Sequence, residues 1–243
     1  MLRIEDIDTA RCRPEFTAAI VDDLRWLGID WKALSVQTDH AADHATALDR
    51  LRAMGLVYPC TCTRAEIAAS ASAPQGEAVP LYPGTCRDAV GVANETRPVA
   101  WRLDVAKALA LAGPLLWRDT EAGLVAADPL AGGDIVLARK GLGVAYHLAV
   151  VVDDAKAGVT HIVRGVDLFA ATHVQRLLQA VLGLPTPDYH HHALVAGPDG
   201  KRLAKRTPDV TLADLRDAGV DPVGLRNDLL SGRLPVGFGW VRP

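Results

Sequence analysis

An α/β domain on a largely parallel sheet is the fold that the chain predicts, and two patterns carry that expectation. Short apolar runs of strand character alternate with amphipathic stretches of helical spacing. The 243 residues show no internal repeat and suffice for one large domain, or one domain with a small insertion. A third observation places the insertion: the helical pattern breaks over residues 58–87, where three cysteines cluster.

The elements follow in order. Residues 1–8 alternate apolar and charged side chains, as at the end of a strand. Pro14 suits the first turn of a helix on which Phe16, Ile20, Leu24 and Leu27 recur at helical spacing, and Gly28 stops it. A second helix is predicted from His40 to Met54, with Ala47, Leu48 and Leu51 on one side and Gly55 at its end. Both read as structural, with Asp22, Asp23, Asp49 and Arg50 on their wet faces. The Ala/Ser/Pro stretch from Ala68 to Pro80 is expected to be mobile, within an inserted subdomain rather than a linker. Trp101 to Val105 reads as a strand that resumes the main body.

Residues 134–139 and 144–152 are the best strand candidates. The second is nearly continuous in apolar character, as a buried strand would be, and a helix stays open at its far end. His161 to Gly165 reads as a further short strand, and Thr172 to Leu182 as an amphipathic helix ending at Gly183. Helical segments near 211–218 and 222–231 complete the chain.

Composition narrows the class. A hydrophobic content of 49% with 23% charged residues is ordinary for a soluble globular protein. The net charge of -3 gives no global reason for a nucleic-acid partner, so any such surface would be a local basic patch. Glu5, Asp6 and Asp8 sit in a start without an apolar run, which argues against a secretory signal. Val105 to Trp117 is too short to cross a bilayer and contains Pro114. No membrane association and a cytoplasmic location are expected.

Three thiols in one segment suggest a metal. Cys60 and Cys62 are too close for a mutual disulfide, and with Cys86 they read as thiolates in a reducing compartment, while Cys12 stands apart. Three thiolates plus one further donor meet the tetrahedral demand of zinc, and their softness disfavours magnesium or calcium. Three unrelated buried cysteines are the plain alternative. Spacing alone does not nominate Tyr82 as the fourth donor; a water or another side chain is the default. Ligands gathered round one loop, without a general base, point to a structural site.

Further segments carry charge or polar chemistry. In Gly197 to Arg206 a Gly-Pro-Asp-Gly turn precedes Lys201, Arg202, Lys205 and Arg206, which suits polyphosphate or else is a solvated charge run. It is not a P-loop. Tyr146 and Arg164 sit near two predicted strand segments, where an open α/β sheet binds ligands, and Arg164 could grip a carboxylate. A surface ion pair or a core aromatic is equally open for them. Asp153-Asp154 reads as a cap or turn rather than a metal site. His190-His191-His192 would alternate between the two faces of a strand, so the three cannot share one ion.

In combination, the segments resemble a family. Arg3 to Asp8, Tyr58 to Thr63, Tyr146 to Asp154, Thr160 to Gly165 and Lys201 to Arg206 stand in the order seen in the catalytic domain of class I glutamyl-tRNA synthetases. The short tail after the basic loop, and the Cys60-x-Cys62…Tyr82-x-x-x-Cys86 pattern, resemble the branch that attaches glutamate to queuosine in tRNA(Asp). The resemblance implies a Rossmann-like parallel sheet with a small zinc-binding insertion. Its expected parts are the N-terminal catalytic portion at 1–57, the insertion at 58–100, the rest of the catalytic domain at 101–188, and the signature loop with short helices at 189–243.

It also implies roles. Glu5 matches the acid that meets the substrate ammonium, and Tyr146 and Arg164 match the glutamate-binding pair. Arg202 and Lys205 match the ATP-binding signature loop, with Lys205 catalytic on the phosphates. Cys60, Cys62, Tyr82 and Cys86 match the ligands of structural Zn2+. His191 matches a family histidine to which no role is given. The implied partners are ATP with Mg2+, L-glutamate and tRNA(Asp) carrying queuosine, bound by a monomer.

Two departures stand out. Ala204 replaces the usual serine of the signature loop, which is expected to matter little. The family also opens with a strand, a Pro-Ser-Pro-Thr-Gly-like turn and a helix bearing a His-Ile-Gly-His-like signature, and the 243 residues hold no counterpart. We therefore expect a true start upstream of Met1, and no adenylate formation by the chain as given. The alternative is a non-catalytic shortened paralogue that binds tRNA or a protein partner.

Overall fold

The computed structural model describes residues 1–9, 11–63, 65–67, 81–88, 98–197, 203, 211–236 and 238–241. Two compact units emerge: Met1–Val36 with Gly165–Asp167 and His192–Pro243, and Gln37–Arg164 with Leu168–His191.

In the first unit, β1 (Leu2–Ile4) pairs in parallel with β2 (Leu34–Val36), Leu2 facing Leu34 and Ile4 facing Val36. Between them runs α1 (Pro14–Trp26), with Pro14 at its first turn and Gly28 in the left-handed region beyond its end. The chain's later part supplies β11 (Leu194–Ala196), α6 (Leu212–Asp217), α7 (Pro222–Leu230) and β12 (Gly239–Val241), with β11 and β12 antiparallel. Arginines tie these helices to α1. Arg216 pairs with Asp23 at 2.9 Å, and Arg226 donates to the Leu27 and Gly28 carbonyls at the end of α1, where a cation complements the helix dipole. The apolar stripe of α1 is not core, however: Phe16 and Ile20 are 52% and 48% exposed and no residue of the helix is buried.

The second unit holds the main core. β3 (Val57–Cys60), β4 (Ala100–Leu103), β7 (Val136–Arg139) and β8 (Gly143–Val144) form an antiparallel sheet in that order. A second sheet runs β6 (Gly123–Ala126), β5 (Leu116–Asp119), β10 (Asp188–His192), β9 (His161–Gly165). Helices α2 (Ala41–Ala53), α3 (Val105–Ala112), α4 (Tyr146–Lys156) and α5 (Phe169–Leu182) pack together over Leu51, Leu56, Leu103, Leu137, Leu148, Leu177 and Leu178, all fully buried. Burying a leucine contributes about 1.5–3 kcal/mol, so this cluster dominates the unit. Gly183, left-handed, closes α5.

Two expectations change. Parallel pairing is found at β1–β2 and β5–β10, while the other described registers are antiparallel. Short hairpins such as β5–β6 and β7–β8 cannot carry a parallel crossover. Residues 144–152 are not a strand: after β8 the chain enters α4 at Tyr146. Leu148, Ala149, Val150 and Val151 are all buried, so the helix is apolar on nearly every side and loses its 3.6-residue signature, and burial overrides the strand preference of the valines. The expected mobile stretch from Ala68 to Pro80 lies outside the described residues. Among the described residues no helix is long and apolar enough to cross a membrane.

Candidate active site and thiolate cluster

Arg164 points its guanidinium into a fixed hydrogen-bond chain. On β9, its Nε donates to His191 Nε2 at 3.1 Å and its Nη2 to Thr172 Oγ1 at 2.6 Å. His191 Nδ1 lies 2.7 Å from Asp119 Oδ2, whose other oxygen accepts the Glu121 and Ala122 amides at 2.9 Å each. Arginine only donates and an ionised aspartate only accepts, so the network assigns the proton of His191 to Nδ1 and the lone pair to Nε2. Arg164 also lies over the Tyr189 ring at 5.3 Å, and Tyr189 stacks on His191. With Nε and Nη2 committed, Nη1 has no hydrogen-bond partner among the described residues.

The charges agree with that reading. Burial pushes the Asp119 carboxyl up, but the Ala122 amide, His191 and the Glu121 amide outweigh it and hold the group below its ordinary value. Burial, reinforced by the Arg164 charge, holds His191 below the ordinary imidazole range despite Asp119. His147, at the start of α4, is lowered by burial and then by the Arg164 charge, and lines a cavity of about 320 Å³ together with His173.

The cysteines converge as their spacing suggested. β3 carries Cys60 and leads to Cys62, while Tyr82 and Cys86 close over them. Cys62 Sγ lies 3.4 Å from Cys86 Sγ, and Tyr82 Oη lies 3.5 Å from Cys60 Sγ and 3.9 Å from Cys62 Sγ. A zinc–sulfur bond of about 2.3 Å in tetrahedral geometry sets S···S at about 3.8 Å. The four donors thus fit one ion with little movement. Arg102 covers the Tyr82 ring at 3.8 Å. Burial raises the Cys60 thiol, but the Tyr82 and Arg102 side chains beside it bring it down to about 7.

A buried carboxylate that sequence reasoning missed orders this cluster. Asp134 accepts from Tyr58 Oη at 2.6 Å and from Arg87 Nε at 2.8 Å, and so joins β3 to the residue after Cys86. Lys140 Nζ then fastens the Thr61 and Cys62 carbonyls at 2.6 and 2.9 Å. Asp134 follows Gly132 and Gly133 at the head of a strand-like run, and nothing local in the sequence marks its partners.

The remaining candidates are placed as follows. Tyr146 begins α4, with its ring edge-on to His147, and therefore stands at a helix N-terminus rather than beyond a strand. Glu5 follows β1 in the first unit and accepts from Arg3 at 2.9 Å. Arg202 and Lys205 lie outside the described residues. The histidine run alternates as expected, with His191 buried and His192 exposed. Asp153 is not a cap or turn: it is a buried residue inside α4 that meets Gln37, His40 and His44.

These features have counterparts in known proteins. The family model of the class I tRNA synthetases (E and Q), catalytic domain, matches residues 1–233, and the chain belongs to that family of ligases. Within it, the chain is similar to the glutamyl-Q tRNA(Asp) synthetase of Rhodobacter capsulatus, at 45% identity over 93% of this chain and 86% of the relative. It is similar also to that of Symbiobacterium thermophilum, at 43% identity over 91% of this chain and 72% of the relative. A solved glutamate tRNA ligase from Elizabethkingia meningosepticum shares the fold at a TM-score of 0.67 and 23% identity, covering 84% of this chain and 45% of that one. The chain thus spans less than half of that structure.

The Asp119–His191–Arg164 chain makes stability pH-dependent. The folded state resists protonation of His191, whereas the unfolded chain takes up that proton near 6.5. The contribution is therefore complete above about pH 6.5 and is lost as pH falls toward the depressed folded value, at no more than about 1.4 kcal/mol per pH unit for one proton. Urea midpoints between pH 7.5 and 5 should fall more steeply for the wild type than for His191→Gln; parallel curves would remove His191 from the account.

Proposed function

We propose that the chain carries the amino-acid and nucleotide determinants of an enzyme that activates L-glutamate with ATP and transfers it to the queuosine base of tRNA(Asp). In that reaction the glutamate carboxylate attacks the α-phosphorus of ATP, pyrophosphate leaves, and the modified base takes the acyl group as AMP departs. The observation that carries the reading is Arg164, a guanidinium oriented by His191 and Thr172, with Nη1 uncommitted among the described residues. A fixed cation of this kind suits a substrate carboxylate. Similarity to relatives named glutamyl-Q tRNA(Asp) synthetase over most of both chains supports the choice of acceptor.

The roles follow from the matched positions. Arg164 and Tyr146 bind glutamate, and Glu5 meets its ammonium group. Arg202 and Lys205 hold the phosphates of ATP, which enters as its Mg2+ complex, and Lys205 neutralises the departing pyrophosphate. Residues 58–100 form a zinc-binding insertion in which Cys60, Cys62, Tyr82 and Cys86 hold a structural Zn2+. We place the protein in the cytoplasm as a monomer.

The 243 residues taken by themselves contain no His-Ile-Gly-His-like tetrapeptide. In this family it supplies donors at the α-phosphate, where electrostatic stabilisation is often the largest catalytic term. The chain as given is therefore expected to show no glutamate-dependent ATP–pyrophosphate exchange, and robust exchange would refute this account. A binding-only paralogue would show tRNA affinity without exchange.

Two further outcomes follow. Arg164→Ala should weaken glutamate binding, measured by calorimetry, by about 10- to 150-fold, the value of a charged hydrogen bond of about 1.5–3 kcal/mol. Unchanged affinity would exclude Arg164 from the pocket. Cys86→Ser should lose one equivalent of zinc per chain by elemental analysis, and an unaltered count would remove Cys86 from the cluster.

A further inference from the structure

Asp153 lies in the second unit with an unusual set of neighbours. Its Oδ1 is 2.9 Å from both His40 Nδ1 and His44 Nε2, and its Oδ2 is 2.7 Å from Gln37 Nε2. His40 ends the one-turn 3-10 segment at Gln37–His40, and His44 follows four residues later on α2. His40 stands as the N-cap of α2 and His44 one turn inside it, so both imidazoles reach the same Asp153 oxygen. The carboxylate arrives from α4, 109 residues away from His44 in sequence.

We propose that Gln37, His40, His44 and Asp153 form a metal site for a divalent transition ion of the zinc class, separate from the thiolate cluster. All three ionisable donors lie within 4.8 Å of one another. Zinc–ligand bonds of about 2.0–2.1 Å require donors about 3.3 Å apart, so the present 2.9 Å contacts need open by only about 0.4 Å. Two histidines and a carboxylate, with a fourth position left over, is a donor set that zinc adopts.

A missing counter-charge points to an ion, and Gln37 offers a further donor. Gln37 is fully buried, yet its Oε1 finds no partner among the described residues. The Nε2 of that amide donates to Asp153, so a rotation of 180° would set its oxygen against the carboxylate, an arrangement that suits two ligands with a cation between them. The buried charge of Asp153 also lacks a permanent cation. Among the described residues no lysine or arginine pairs with it, and the adjacent Lys156 is committed to Asp43 at 2.5 Å. Access exists, because the His40 side chain is 24% exposed whereas those of His44 and Asp153 are buried. Nitrogen and oxygen donors suit Zn2+, Co2+ or Ni2+, and the absence of sulfur from the set disfavours Cu(I).

Cobalt(II) titration of the full chain distinguishes the two sites, since only cobalt on cysteines shows thiolate-to-metal charge-transfer absorption. The wild type should bind one equivalent with that band and one without it. Cys62→Ser should lose the band and keep the second equivalent. His40→Gln, which retains an amide donor toward Asp153 at the most exposed of the four positions, should keep the band. It should weaken the second equivalent by more than about 100-fold, since even outer-shell partners are worth 10–100-fold. A cobalt-induced rise in melting temperature should persist in Cys62→Ser and vanish in His40→Gln, whose metal-free melt serves as the folding control. The proposal fails if all wild-type cobalt carries the thiolate band, or if His40→Gln binds both equivalents as the wild type does. Loss of the band alone would count against the thiolate cluster and leave this site standing.

Discussion

The burial of α4 is the constraint on which the second unit depends. Leu148 and Ala149 are fully buried and Val150 and Val151 nearly so, which commits the helix to contacts with β7, α2 and α5 at once. A helix held on several faces cannot rotate without opening voids, and interiors packed to crystal density resist that. Its ends inherit the precision. Tyr146 and His147 are presented at one end, and Asp153 is delivered to α2 near the other. Side chains on such a helix are located more exactly than they would be on a loop.

Three buried aspartates do for the polar interior what the leucines do for the apolar one. Asp119 gathers His191 and two amides, Asp134 gathers Tyr58, Arg87 and the Val105 amide, and Asp153 gathers Gln37, His40 and His44. Each carboxylate offers several lone pairs and so can join segments that are distant in the chain. Removing one would strand buried donors and lose their orientation, and stranded donors cost more than the bonds contribute net. Two of them act through a neighbour, Asp119 on Arg164 through His191 and Asp134 on the cysteines through Tyr58 and Arg87, and Asp153 meets the histidine pair directly.

What was legible in the sequence was what is local in the chain. α1, α2 and α5 were readable from Pro14, Gly28, Gly55 and Gly183 together with apolar spacing, and the thiolate cluster from three cysteines within one segment. Tyr82 needed the family pattern, because tyrosine is an uncommon zinc ligand and its approach to Cys60 depends on the chain folding back. The 144–152 segment misled because a helix buried all round and a buried strand both read as unbroken apolar runs. Asp119 and Asp134 were invisible because their partners stand 72 and 76 residues away. His40 and His44 did carry a local sign, the i, i+4 spacing, but its meaning waited on Asp153.

The way Arg164 is held bears on what it can bind. Had Asp119 met the guanidinium directly, two opposite charges would have cancelled, and an incoming carboxylate would have gained little by joining them. A neutral imidazole stands between instead, its Nδ1–H spent on Asp119 and its lone pair turned to Arg164 Nε. Burial keeps that imidazole uncharged, and the nearby Arg164 charge reinforces it. The guanidinium is thus oriented by an acceptor that leaves its positive charge largely unspent, and Thr172, also neutral, fixes the second nitrogen. Orientation without neutralisation is what a site needs when the anion that completes it is the substrate.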